Sequence, residues 1–215
     1  YVLDKKHEWG FEDVSDNDIS LRLYDYHESS FKLIESKAYA GEARWQYYLG
    51  QIYEGETISY YFREKLYENE VKRYHFAQLD NTKAAYWWNE AASQNYTPAY
   101  NNLGMAYKEG VGVQVDLRKA VHYLKLGAEA GEDLAQRNYG DLFMEGVKIQ
   151  IGSHKELKPG YNPRIYNKYD LYAWEEVPDY EILIKKDIEQ AKYWWKKAAA
   201  QGDEVAKERL QKIYQ

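Results

Sequence analysis

DNTKAAYWWNEAASQNYTPAYNNLGMAYKEGVGVQVDLRKA, residues 80–120, closes on a copy of its own beginning. Asp80–Ala84 recurs as Asp116–Ala120, and the marks that follow recur with it. Trp87 becomes Tyr123, Ala91-Ala92 becomes Gly127-Ala128, Ala99 becomes Ala135, Leu103-Gly104 becomes Tyr139-Gly140, Tyr107 becomes Phe143 and Gly110 becomes Gly146, each 36 residues on. A third copy runs through Asp187–Ala191, Trp194, Ala198-Ala199, Ala206, Leu210 and Tyr214; it stands 71 residues beyond the second, one period plus 35 residues. Leu49-Gly50 and Tyr53 make a degenerate copy at the front, with Trp45 where the others carry Ala. Terminal repeats of such arrays are commonly atypical.

Each copy reads as two helices. Ala84, Trp87 and Ala91 follow one stripe of a 3.6-residue period, and Ala99, Leu103 and Tyr107 repeat at i+4. Asp80, Asp116 and Asp187 stand ahead of the first helices, where a carboxylate can accept from free N–H groups. Gln94-Asn95, Ala130-Gly131 and Gln201-Gly202 separate the helices of a pair, and Gly and Asn tolerate the left-handed cap conformation. The small pairs Ala91-Ala92, Gly127-Ala128 and Ala198-Ala199 allow close helix approach. Trp87, Tyr123 and Trp194, one turn earlier, are therefore expected to be buried at equivalent places. A pair of this size cannot bury its stripe alone, so neighbouring pairs must stack.

Lys83-Ala84, Trp87, Ala91-Ala92, Leu103-Gly104, Tyr107, Glu109–Val113, Asp116 and Lys119-Ala120 together resemble the Sel1-like repeats, relatives of the tetratricopeptide repeat. The resemblance covers 80–147 and 187–214, and more weakly 26–56. It implies an α/α superhelix whose members act as adaptors, regulators or inhibitors by binding other proteins, and it brings no catalytic residues. The expected fold is an all-α solenoid of about four helix pairs with a long irregular insert before the last. Its parts are an N-terminal extension (1–25), a degenerate first repeat with a helical insert (26–79), repeats at 80–115 and 116–147, an aromatic insert with Pro and Gly (148–186), and a terminal repeat and cap (187–215).

The chain has 215 residues, with 45% hydrophobic and 30% charged, an ordinary globular balance. Its 24 Tyr and 7 Trp against 5 Phe are unusual: most large apolar surface carries a polar handle suited to a wet interface. A net charge of −6 argues against nucleic-acid binding, which needs a basic field. No stretch reaches the roughly 18–20 apolar residues of a membrane span. Without Cys there is no disulfide, thiolate nucleophile or Cys-ligated zinc. The chain begins at Tyr1 rather than Met, which fits either a removed leader or a trimmed end. The expected location is periplasmic or secreted, with the cytoplasm as the alternative.

No chemistry-bearing motif competes with a binding role. The five His are scattered, and none stands at i, i+4 with another. The Asp13, Asp16 and Asp18 cluster lacks the Gly and terminal Glu of a calcium loop. Glu109–Val113 is a turn between repeats rather than a phosphate cradle. Neither metal nor cofactor is expected, and no catalytic residue is assigned.

The binding surface is expected on the first helices, at the non-core positions Tyr86, Asn89, Glu90, His122, Lys125, Tyr193 and Lys196. The insert should add Tyr166, Tyr169, Tyr172 and Trp174 as aromatic anchors, since so long a connection in a compact array is usually functional. The partner is another protein. Among Sel1-like proteins of this size are immunity proteins that neutralise secreted toxins, phospholipase effectors included, so a toxin or effector enzyme is the specific expectation. A regulatory adaptor holding a sensor or envelope enzyme is the alternative, and an enzyme with an unrecognised site ranks last.

Overall fold

The computed structural model describes residues 28–54, 79–159 and 174–213. Expectations for the N-terminal extension, for the helical insert of the first repeat, and for Tyr166, Tyr169, Tyr172 and Tyr214 lie outside these residues. Ten elements follow in order: α1 (Glu28–Tyr39), α2 (Ala43–Glu54), α3 (Asn81–Ser93), α4 (Pro98–Glu109), α5 (Leu117–Ala130), α6 (Asp133–Glu145), β1 (Val147–Leu157), β2 (Trp174–Ile184), α7 (Ile188–Ala200) and α8 (Glu204–Ile213). The chain packs as two compact units, residues 1–99 and 100–215.

The starts of α3, α5 and α7 obey the Asp rule. Asp80 Oδ1 accepts from the Lys83 N–H at 3.1 Å, Asp116 Oδ1 from Lys119 at 3.0 Å, and Asp187 Oδ1 from both Glu189 and Gln190. The backbone N–H of each capping Asp also donates 2.8 or 2.9 Å to the carbonyl of an aromatic residue at the end of an earlier helix: Asp80 to Tyr53, Asp116 to Tyr107, Asp187 to Phe143. The joint is the same whether a short turn or a long insert lies between. After each first helix the chain reverses through a left-handed residue, Asn95 (φ 61°) and Gly131 (φ 101°) among them.

The all-α expectation needs correction at the insert. Instead of an irregular loop, β1 and β2 form an antiparallel two-stranded ribbon, pairing from Val147 with Ile184 out to Leu157 with Trp174, with register shifts at Val147/Lys148 and Gln150/Gly152. Only its base enters the core, through Val147 and Ile184. Most of the rest is exposed on both faces, so the alternation that marks a half-buried strand is missing from the sequence. Arg118 of α5 grips Glu181 of β2 with both terminal guanidinium nitrogens, tying the ribbon back to the helices.

Trp87 and Trp194 are buried as expected, at 5% and 9% exposure, while Tyr123 is half-buried. Tyr123 lies between two rings, 6.2 Å from Tyr100 and 5.8 Å from Tyr107, both stacked. The deeper residues are the next ones along: Trp88, Leu124 and Trp195, at 1%, 0% and 3%. Each sits against a glycine of an earlier second helix. A Cβ placed at Gly50 would fall 2.5 Å from Trp88 Nε1, one at Gly104 2.6 Å from Leu124 Cγ, and one at Gly140 2.7 Å from Trp195 Cδ1. A side chain of any size there would push the helices apart, which is why Gly stands mid-helix despite its low helix propensity.

Candidate functional site

Tyr86, His122 and Tyr193 share one register on α3, α5 and α7, and all three are exposed. Each stands edge-on to the aromatic that follows it: Tyr86 to Trp87 at 5.1 Å, His122 to Tyr123 at 5.3 Å, Tyr193 to Trp194 at 5.1 Å. The inner neighbour, buried in Trp87 and Trp194 and half-buried in Tyr123, fixes one edge of the exposed ring and leaves the remainder to solvent. Lys197 adds a second brace in α7, its Nζ 4.8 Å from the Tyr193 ring centre and 5.0 Å from that of Trp194. Asn89, Lys125 and Lys196, one turn on, are exposed at matching positions, whereas Glu90 is half-buried. Such pre-ordered rings lose little side-chain entropy when a partner covers them.

In the second unit the structure brings Lys125 together with the base of the insert. A groove of about 570 Å³ opens between α5, α6 and the segment where β2 leads into α7. Val121, Tyr139, Phe143 and Leu183 form its apolar floor, and Lys125, Lys185 and Lys186 stand around it. Tyr139 is held by edge contacts to Phe143 (5.1 Å) and Trp194 (5.3 Å), and its burial pushes the phenol pKa above the ordinary tyrosine value. The binding positions expected from sequence included Lys125 but not Val121, Phe143 or Leu183; Lys185 and Lys186 stood out only as the start of a basic cluster in the terminal repeat, which reads as a solvated cap or as a match for an acidic patch on a partner.

Trp174, the one described aromatic anchor of the insert, is 39% exposed at the outer end of β2. With Tyr180 and Ile182 it occupies alternate positions of that strand, hence one face of the ribbon. Lys148 lies over the Tyr180 ring at 3.9 Å. The opposite face carries Asp179, Glu181 and, across from them, His154, whose two ring nitrogens lie 2.7 Å from Asp179 and 2.8 Å from Glu156. These hydrogen bonds, to Glu156 first and then Asp179, raise the His154 pKa. Among the described residues no His, Asp or Glu cluster is arranged to hold a metal ion, and no helix is long and apolar enough to cross a membrane.

The Sel1 repeat family model matches residues 75–96, 97–132 and 180–203. The chain carries three Sel1 repeats. A Sel1 repeat protein from Oxalobacter formigenes has a crystal structure that superposes at a TM-score of 0.54 and 19% identity, over 87% of this chain and 56% of that one. A protective antigen present in uropathogenic Escherichia coli strains, displaying an SLR fold, superposes at 0.46 and 24% identity, over 86% of this chain and 36% of that one. The chain thus spans little more than half of the first relative's length and about a third of the second's. The search of curated proteins gives no match. Sel1 repeat proteins generally mediate protein–protein interaction.

Proposed function

We propose that this chain is a non-enzymatic protein-binding module whose contacts are the exposed rings of its first helices and, in the second unit, the ribbon and groove beside them. The observation that carries this reading is the recurrence of Tyr86, His122 and Tyr193, each propped on the buried or half-buried ring that follows it and each left exposed. Core packing asks only for the inner aromatic, so a repeated outer one needs a separate reason. The finer proposal is an inhibitor that binds and neutralises a secreted bacterial toxin, such as a phospholipase effector, on the periplasmic or secreted side. An acidic chain rich in Tyr suits a basic or polar enzyme surface.

The test is affinity capture from the native host, followed by titration of the purified partner against the intact chain and against Tyr86→Ala, Tyr193→Ala and Trp174→Ala. At least one variant should weaken binding by about 2 kcal/mol while melting normally. The captured enzyme should lose activity on adding the chain at equimolar ratio. Normal binding by all three variants would move the interface elsewhere, and an enzyme that stays fully active when bound would remove the inhibitor role.

A further inference from the structure

We infer that the groove at the ribbon's base receives an acidic segment of a partner protein, with one large apolar side chain entering between flanking carboxylates. The inference rests on the protein-binding reading above and names the chemistry of one part of that surface.

The floor sets the first half of the occupant. Val121 and Leu183 offer aliphatic surface, and Tyr139 and Phe143 are mutually fixed rings, so a buried apolar group meets a preformed wall. A volume of about 570 Å³ exceeds what one side chain fills and leaves room for the backbone that brings it in.

The rim sets the second half. Lys185 and Lys186 are exposed and carry no ion pair among the described residues. Lys125 has only Glu129 at 3.7 Å, with both side chains about half exposed, a contact that contributes little. Asp187 is the single carboxylate lining the groove among the described residues, and its Oδ1 caps α7. In a chain of net charge −6, three lysines therefore line one groove beside a single lining carboxylate among the described residues, a local excess of positive charge. Repeated phosphates would meet no matching floor, and an uncharged peptide would leave the lysines unanswered. A carboxylate-flanked apolar residue satisfies both.

The probe is a fluorescein-labelled peptide, Asp-Glu-Phe-Glu-Asp, measured by fluorescence anisotropy on the full chain. Controls are Asn-Gln-Phe-Gln-Asn, Asp-Glu-Ala-Glu-Asp and decanoate. The acidic Phe peptide should bind, and losing either its charges or its ring should weaken it about tenfold. The double variant Lys185→Glu/Lys186→Glu should weaken it similarly, whereas Lys155→Glu/Lys158→Glu, the same charge change on the ribbon and beyond it, should not. Equal binding of the three peptides, no response to K185E/K186E, an equal response to K155E/K158E, or tighter binding of decanoate than of the peptide would each overturn the inference. The peptide comparisons use the unaltered chain, so they decide even if the glutamate variant unfolds. A groove indifferent to the peptide, beside a captured partner that still depends on Tyr86 or Tyr193, would sink the groove and leave the protein-binding reading standing.

Discussion

Trp195 lies so close to Gly140 that its indole occupies the space a Cβ would need, and its Nε1 donates to the Asp141 carboxylate at 2.9 Å and the Arg137 carbonyl at 3.2 Å. Trp88 meets Gly50 in the same way in the first unit, but its Nε1 has no hydrogen-bond partner among the described residues. Position 51, next to Gly50, is Gln rather than the Asp141 of the later copy, and its amide donates to the Tyr47 hydroxyl instead. The two tryptophans should respond differently to losing the N–H. Trp195→Phe gives up two acceptors and leaves a part-buried carboxylate less satisfied, so it should cost at least about 1 kcal/mol more than Trp88→Phe in denaturant melts. Equal costs would show that packing alone decides both sites.

Gly50→Ala, Gly104→Ala and Gly140→Ala should each destabilise by about 1–3 kcal/mol, because the methyl must displace Trp88, Leu124 or Trp195 from a filled interior. The Gly50 variant carries the most information, since it tests the degenerate front copy. A neutral or stabilising result there, as expected for Gly→Ala at an open helix position, would contradict the seating of Trp88.

These contacts show what the sequence displayed and what it hid. Leu49-Gly50, Leu103-Gly104 and Tyr139-Gly140 were visible as a repeat, but burial was expected at Trp87, Tyr123 and Trp194, and the residues seated on the glycines, Trp88, Leu124 and Trp195, were not singled out. A first helix packed on two sides uses adjacent positions, and the i+4 neighbour of Ala84 is Trp88. The glycine alone could have pointed to the larger residue behind. Gln46 with Gln94 (2.7 Å) and Gln136 with Gln201 (2.9 Å) were likewise hidden. In the second repeat Tyr100 and Ala130 stand at those two places, so the polar pair is absent there and no periodic mark announces it. Of the candidate site, the exposed rings were legible from helical period, while the groove depends on where the insert returns, which no local pattern encodes.

His154 should titrate above the ordinary histidine value of 6.5, because the imidazolium donates to both Glu156 and Asp179. A histidine whose folded pKa is raised contributes stability that is complete below pH 6.5 and lost as pH rises through the raised value. Proton NMR of the ring should find that midpoint, and amide protection in the ribbon should fall across the same interval. Asp179→Asn should move the midpoint back toward 6.5. An unshifted midpoint in the intact chain would mean that the cross-strand pair does not form in solution.

The ribbon should be removable without dismantling the repeats. Asp187 donates to the Phe143 carbonyl as Asp116 does to that of Tyr107, so the insert leaves and rejoins the array at one joint. Replacing residues 144–186 by the sequence of 108–115, Lys-Glu-Gly-Val-Gly-Val-Gln-Val, substitutes the short connection that already makes this joint. The cost is the burial of Val147 and Ile184, about 1.5–3 kcal/mol each, together with the grip of Arg118 on Glu181. That total is within the 5–15 kcal/mol typical of a folded domain. Circular dichroism should show the helical signal retained with a lowered Tm, and binding to the captured partner should fall with the ribbon and groove gone. A shortened chain that is unfolded would show that the ribbon is part of the folding unit. One that folds and binds unchanged would confine the interface to the exposed rings of the first helices.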